Sequence, residues 1–358
     1  MLYCTSVGLD VHARSIKAAA FIPETGEMIE VSCAYDPETI IRWIKTMPTP
    51  VRCVYESGPT GFDLLRKLRA SGIECVIGAV SKMLRPSGDK IWNDKRAATF
   101  LARMLAVGNI VEVYVPSEDD EAARDLARAR EDVRQELTRA KQHLSKFLLR
   151  KGIVYNEGKT AWTKMHRKWL DRLNLPTDTE RLVLSEYLMS VEEAERKRDR
   201  LDAAIADLAA TDRWKELVSR FCLLRGISVL TAFSIAAEIC DFQRFKNASA
   251  FYSFLGLIPS LNESGESSSR GPITKTGNIH VRKLLIESAW HHKRKYYPAS
   301  QYYPADIRPN ILAAAKKANI RLYDRATYLA NRNLNSCKAN VAVARELAGF
   351  LWALANMG

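Results

Sequence analysis

At 358 residues, with 47% hydrophobic and 27% charged residues, the chain has a soluble globular composition and is long for a single core, so two or three domains are expected. No apolar run approaches the ~20 residues that span a bilayer, and Met1-Leu2-Tyr3-Cys4-Thr5 lacks a basic segment followed by an apolar one, so neither membrane insertion nor secretion is expected. The net charge of +13 is uneven: residues 1–112 hold 14 basic against 12 acidic side chains, 113–210 hold 19 of each, and 211–358 hold 21 against 10. An excess confined to the last segment points to a polyanion, with counterion release supplying affinity; the other reading is a generally basic, solvated surface. Seven scattered cysteines (Cys4, Cys33, Cys53, Cys75, Cys222, Cys240, Cys337) form no CxxC pair and are expected to be reduced, mostly buried thiols.

Residues 1–115 read as an α/β domain. Ser6–Val11 and Ile16–Phe21 are short apolar runs across a turn, a predicted β-hairpin with Asp10 near the end of its first strand. Val51–Gly58 is another short strand ending on a carboxylate, Glu56; Phe62–Leu68 has helical spacing; Glu74–Ala79 is a further strand. Asn93–Leu105 is a predicted helix with Asn93 as N-cap and Asp94 in its first turn. Two carboxylates at strand ends and one at a helix start can converge on one sheet edge, a geometry for Mg²⁺, which takes oxygen ligands. Acids also favour such positions for the helix dipole alone.

Residues 116–212 read as a helical arm. Ser117 before Glu118, Asp119, Asp120 and Glu121 starts a long helix running to about Arg150. A shorter helix over Trp162–Leu170 is closed by Pro176, and a second long helix covers about Thr179–Ala210. Both long helices carry dense alternating charge, as antiparallel coiled-coil helices that self-associate do, or as a solvated spacer does.

Residues 213–358 read as mostly helical. Leu223–Ile239 resembles a helix-hairpin-helix in which Arg225 and Gly226 present backbone N–H groups to phosphate, with Ser228 where a second glycine is usual; an ordinary αα-hairpin is the alternative. Residues 259–271, rich in Ser, Gly, Asn and Glu, read in isolation as a mobile linker. Arg270 lies within it, and beyond lie Lys275, Asn278, His280, Arg282, Lys283, Lys293, Arg294 and Lys295, with Tyr296, Tyr297, Tyr302 and Tyr303 interleaved, a mixture suited to backbone contact and base stacking. His291-His292 has no partner at ligand spacing and is not read as a metal site.

Seven segments then occur in order: Gly8-Leu9-Asp10-Val11-His12, Tyr55-Glu56-Ser57-Gly58, Gly88-Asp89-Lys90 with Asn93-Asp94-Lys95-Arg96, Gly226-Ile227-Ser228, Phe254-Leu255-Gly256-Leu257-Ile258-Pro259-Ser260, Ile273–Asn278, and Ala344–Trp352. Together they resemble the transposases of the insertion sequence 110 family, the bridge-RNA-guided DNA recombinases. The resemblance implies a RuvC-like (RNase H-like) domain over 1–115 with a DEDD metal site for Mg²⁺, a coiled-coil dimerisation arm over 116–212, and a C-terminal transposase domain over 213–358 bearing a nucleophilic serine. By motif, Asp10, Glu56 and Asp94 are the first three acids and Ser264, before Gly265, is the nucleophile; Ser260 and Ser267 to Ser269 are fallbacks. Ala97 stands where a fourth acid is implied, so the chain works with three acids, is an inactive homologue, or carries an alanine introduced to stop the reaction; the pattern around Ala97 is otherwise kept, which favours the last. The resemblance also implies donor and target double-stranded DNA, a non-coding guide RNA, a homodimer forming a tetramer on DNA, serine and acids from different subunits at one site, and a cytoplasmic, nucleoid-associated place in a prokaryote. Two rival readings stand beside it: a metal-dependent junction resolvase that cuts with water, and an inactive nucleic-acid-binding homologue.

Overall fold

A computed structural model describes residues 4–79, 94–264, 267–295 and 307–358, with the backbone alone at Asp94, 262–264, 267, 268 and 270. The expected Asn93 cap, the Gly88-Asp89-Lys90 segment, Gly265, Glu266 and the four tyrosines from Tyr296 to Tyr303 lie outside the described residues. The chain divides into two compact units, Met1–Pro116 and Ser117–Gly358.

The first unit is a five-stranded mixed sheet in the order β3-β2-β1-β4-β5. Strands β1 (Thr5–Val11) and β2 (Ser15–Ile22) form the expected hairpin, and its turn closes with the His12 N–H donating to Ser15 O at 2.9 Å. Strand β3 (Glu27–Ala34) adds antiparallel to β2. Helix α1 (Pro37–Ile44) then carries the chain back, so that β4 (Val51–Glu56) runs parallel to β1; helix α2 (Asp63–Ala70) makes the same crossover to β5 (Glu74–Gly78). Because side chains alternate across a strand, Val7 and Leu9 bury one way, with Ile40, Ile44, Leu64 and Leu68 of α1 and α2. Val54 and Val76 bury the other way, against Leu101 and Leu105 of helix α3 (Asp94–Ala106).

In the second unit, helices α4 (Glu118–Arg150) and α6 (Asp178–Ala209) lie antiparallel. Ala123 and Ala127 share a core with Ile205 and Ala209, Leu137 meets Val191 and Ala194, and Leu144 and Leu148 meet Leu184. Ser117 caps α4 as expected, its hydroxyl accepting from the Asp120 N–H at 3.1 Å. Between them α5 (Lys164–Asp171) closes the far end, packing Trp169 and Leu170 there. Helices α7 (Asp212–Cys222), α8 (Val229–Ile239), α9 (Ala248–Phe254), α10 (Ile279–Ala289), α11 (Pro309–Asn331) and α12 (Ser336–Asn356) enclose one core around Phe221, Phe233, Phe251, Leu285, Leu322 and Leu347.

Two expectations are corrected. Residues 259–271 are not a linker: β6 (Pro259–Ser264) and β7 (Ser267–Ile273) pair as an antiparallel ribbon. Its polar sequence carries no hydrophobic period; the described positions Ser260, Leu261, Ser269 and Gly271 are exposed, Leu261 by 57%. The cysteines are all free, yet only Cys53 and Cys75 are buried, while Cys337 is exposed on the first turn of α12. Among the described residues, no helix is long and apolar enough to cross a membrane.

Candidate active site

The two strand-end acids are neighbours by register. On the parallel strands β1 and β4, Leu9 pairs with Tyr55, so Asp10 and Glu56 are each the next residue at adjoining carboxyl ends. Both share the face of Gly8 and Val54, which α3 covers. Gly8 is what lets α3 approach: a β-carbon there would strike the Ala98 carbonyl oxygen and lie 2.5 Å from Ala102 N. Ala19, the partner of Gly8 on β2, packs with Ala98 and Ala102 in the same layer of small residues. The amino end of α3, with Asp94, lies toward Lys17, the strand partner of Asp10; Lys17, Lys95 and Ala98 line one cavity of about 330 Å³. Glu30 anchors that end, pairing with Lys95 Nζ at 2.6 Å and accepting from Thr99 Oγ1 at 3.2 Å, and the Lys95 hydrogen bond lowers its pKa. Asp10 Oδ2 lies 3.3 Å from His12 Nε2. Ala97, half-buried, follows Asp94 by three residues. Among the described residues no cluster of three metal-ligating side chains occurs, and the Asp94 carboxylate is not among the side chains described.

The serine segment is held from below. Ser264 pairs with Ser267 at the tip of the ribbon, and the pairs Glu263–Ser268 and Asn262–Ser269 follow toward its foot. Ser260 is at the foot, where the register shifts and its hydroxyl abuts Gly271. Below the strands the ladder continues, the Thr274 and Lys275 N–H groups donating to Ile258 O at 2.9 Å and Gly256 O at 3.1 Å. Gly256 (φ +65°) and Gly277 (φ +72°) then cross backbone on backbone. A β-carbon on Gly256 would lie 2.5 Å from Thr276 N, and one on Gly277 would strike the Phe254 carbonyl. Arg282, only 7% exposed, locks this crossing: its Nη1 donates to Leu255 O at 2.8 Å and Thr276 O at 2.9 Å.

The other basic candidates fall into two groups. Near the ribbon foot are Lys275 (φ +57°), Asn278, His280 and Lys283. Asn278 caps α10, accepting from the Val281 N–H at 2.9 Å, and its Nδ2 donates to Glu238 Oε2 at 2.7 Å. Lys283 Nζ lies 3.0 Å from Glu131 Oε1, and burial lowers the pKa of His280. The second group surrounds the turn between α7 and α8. Arg225 N donates to Asn319 Oδ1 at 2.9 Å and its guanidinium to the carbonyls of Arg294 and Lys295 at 2.7 and 2.6 Å. Gly226 has φ +81° and faces Ser288 O, beside a cavity of about 550 Å³ lined also by Ser228, Thr231, Glu287 and His291. Lys293 Nζ sits 4.1 Å over the Trp290 ring, and Arg294 and Lys295 are exposed. Only the backbone of Arg270 is described, opposite Leu261.

Residues 7–152 match the family described as "Transposase", of the DEDD type, and residues 218–304 match the "Transposase IS116/IS110/IS902 family". A putative transposase, y4qE, of Sinorhizobium fredii is 34% identical over 98% of this chain and 88% of its own length. The chain belongs to the IS110 transposase family. The transposase for insertion sequence element IS1533 of Leptospira borgpetersenii is 30% identical over 88% of this chain and 94% of that one. The transposase for insertion sequence element IS1111A of Coxiella burnetii is 34% identical over 25% of each chain. The first family match spans the acids and α4; the second spans the turn at Gly226, the ribbon and α10.

The sequence of this IS110-family chain does not single out one buried acid within the second match. Glu238 on α8 is 3% exposed and accepts both a bidentate pair from Arg128, at 2.7 and 3.1 Å, and the Asn278 amide. Its signal was a lone acid inside the apolar stretch Ser234–Ile239. A carboxylate there must either be paired or lose its charge.

Proposed function

We propose that this transposase cuts and rejoins DNA at an insertion sequence through a covalent bond to Ser264. The observation that carries the reading is the place of Ser264: the last paired residue of a two-stranded ribbon whose foot is locked by Gly256, Gly277 and Arg282. Such a serine can reach a bulky duplex while its backbone stays ordered.

In the reaction proposed, Ser264 Oγ loses its proton to a base or water and attacks the scissile phosphorus. An Oγ–P bond forms and the P–O3′ bond breaks; the departing 3′ oxygen takes up a proton. The phosphoserine ester keeps the bond energy, so the 3′ hydroxyl of a second strand can attack it, restoring a phosphodiester and freeing Ser264. Two carboxylates at adjoining strand ends under the amino end of α3 are a hard oxygen donor set, which fits Mg²⁺. Asp10, Glu56 and Asp94 would hold the ion, which when bound neutralises charge on the phosphate oxygens. The sheet order β3-β2-β1-β4-β5 supports a RuvC-like reading of this domain. Ala97, in place of the fourth acid, stops the reaction in the present chain.

We further propose that the α4–α6 pair is a coiled-coil arm through which two chains associate, that the dimer pairs into a tetramer on DNA, and that the serine of one copy serves the acids of another. The excess of 21 basic over 10 acidic residues in 211–358 supports binding of donor and target DNA and of a guide RNA whose base pairing reads sequence.

The test uses the chain and its Ala97→Asp variant with DNA from the element's own ends, RNA transcribed from its flanks, and Mg²⁺. A denaturing gel is expected to show a protein–DNA adduct with Ala97→Asp, none with the unchanged chain, and none when Ser264→Ala is added to Ala97→Asp. Cut DNA with free 5′ phosphates and no adduct would overturn the serine reading in favour of a hydrolytic resolvase.

A further inference from the structure

We infer that Glu238 is a positioning residue that fastens the foot of the serine ribbon to helix α4, so that the placement of α4 sets the placement of Ser264. The inference rests on the proposed role of Ser264, but the linkage itself is a property of the fold.

The chain of contacts is short and continuous. Arg128, 11 residues into α4, grips both carboxylate oxygens of Glu238. Arg124, one turn earlier, approaches Oε2 to 3.9 Å and also donates to Ala237 O at 3.4 Å, at the carboxyl end of α8. On its other side the same Oε2 accepts from Asn278 Nδ2 at 2.7 Å. Asn278 adjoins Gly277, the glycine of the backbone crossing, and it begins the helix that carries Arg282. Arg282 in turn holds Leu255 and Thr276, the two segments from which β6 rises and into which β7 descends. Three side chains therefore connect α4 to the ribbon: Arg128, Glu238 and Asn278.

Two observations separate this from ordinary core packing. The Glu238 side chain is 1% exposed, and burial raises a carboxyl's pKa, yet the bonds from Arg128 and Asn278 leave it below the usual value. The carboxylate is thus ionised at neutral pH and bound to its donors with directional bonds. Second, it sits where α4, α8 and α10 meet, and the next polar link outward, Lys283 to Glu131 at 3.0 Å, again joins α10 to α4. Both links run from α4 to the helix that starts at the ribbon foot. A displacement of α4, such as pairing of two arms would produce, is transmitted to β6 and β7 through fixed bonds and not through apolar contacts that slide.

Hydrogen–deuterium exchange of the full chain tests the linkage without any DNA. Arg128 is 54% exposed, so Arg128→Gln removes the bidentate pair while Arg124 and Asn278 still accompany Glu238. Exchange at Thr274 and Lys275 is expected to rise about tenfold, with α11 and α12 unchanged, and Arg128→Lys is expected to restore part of the protection. Glu238→Gln, which keeps an oxygen for Asn278, is the second variant and is expected to act in the same direction. Unchanged exchange at the ribbon foot, or an equal rise throughout the unit, overturns the inference. Adduct formation is measured in parallel on Ala97→Asp and on Ala97→Asp with Arg128→Gln. The double variant is expected to bind DNA as tightly but to yield less adduct; equal adduct yield also overturns the inference. Absence of adduct from Ala97→Asp itself would sink the serine reading and leave the exchange result to stand.

Discussion

The backbone of Ala98 on α3 lies directly on Gly8 of β1, at a spacing that admits no side chain between them. This contact sets the height of α3 over the strand ends that carry Asp10 and Glu56. Gly8→Ala is therefore expected to push α3 outward and to destabilise the first unit by about 1–3 kcal/mol, the usual range for overpacking. Thermal unfolding checks the stability, and Mg²⁺-dependent cleavage by the Ala97→Asp chain checks the site. A melting temperature unaltered by Gly8→Ala would contradict the geometry.

Arg282 satisfies two carbonyls that its burial has removed from water. Arg282→Ala leaves both unpaired, at a cost of about 1–3 kcal/mol each by the usual penalty. Urea unfolding is expected to lose several kcal/mol of stability for the alanine variant and less for Arg282→Lys, which keeps a donor. A loss below about 1 kcal/mol would show that the carbonyls find other partners.

Two groups give stability a pH dependence with the same sign in different windows. His292 is fully buried, and burial first, then the charges of Arg225 and His291, lowers its pKa from 6.5 to about 4. The unfolded chain takes up a proton first, so stability is whole above pH ~6.5 and falls as pH drops toward 4. Glu131 is held down to about 2 by the hydrogen bond from Arg134 first and that from Lys283 next. Its contribution is whole above pH ~4.5 and is lost as pH falls toward 2. Melting temperatures of His292→Leu and Glu131→Gln are expected to flatten the upper and lower windows respectively; a variant with an unchanged slope removes that group as the source.

Lys293 ends the 3-10 turn that follows α10, and Arg294 and Lys295 come directly after it. If all three neutralise phosphates, replacing them with Gln lowers the log–log salt dependence of DNA binding by about 0.9 per contact, or ~2.7 in total. Affinity measured from about 50 to about 200 mM salt reads such a change. An unaltered slope would place the nucleic acid elsewhere on the basic segment.

The parts of the fold written in local chemistry were legible. Short apolar runs ending on Asp10 and Glu56 gave β1 and β4, and the Ser117 cap with its four acids gave the start of α4. Strand β3 was missed because Glu27–Ala34 alternates exposed and half-buried residues at the sheet edge and carries no continuous apolar run. The ribbon was missed for a related reason: its pairing is supplied by backbone bonds and by a glycine crossing at its foot, neither of which has a hydrophobic period. Glu238 and Arg282 could not be ranked from sequence, since their partners Arg128, Asn278, Leu255 and Thr276 are set by tertiary contacts, up to 110 residues away for Arg128. Acids, basic residues and the serine could be named individually; what holds each in place could not.

The crossing of Gly256 and Gly277 makes the ribbon a lever with a fixed pivot. No side chain at the pivot can be enlarged without separating two backbones, so variation in reach must come from the length of the strands above it. Reach then changes in steps. Two residues added to each strand carry the tip outward by about 6.6 Å and preserve which positions share a face. One residue added to each reverses those faces. An IS110-family chain whose ribbon lengthens or shortens is therefore confined to even increments if residue 264 is to keep its face of the ribbon.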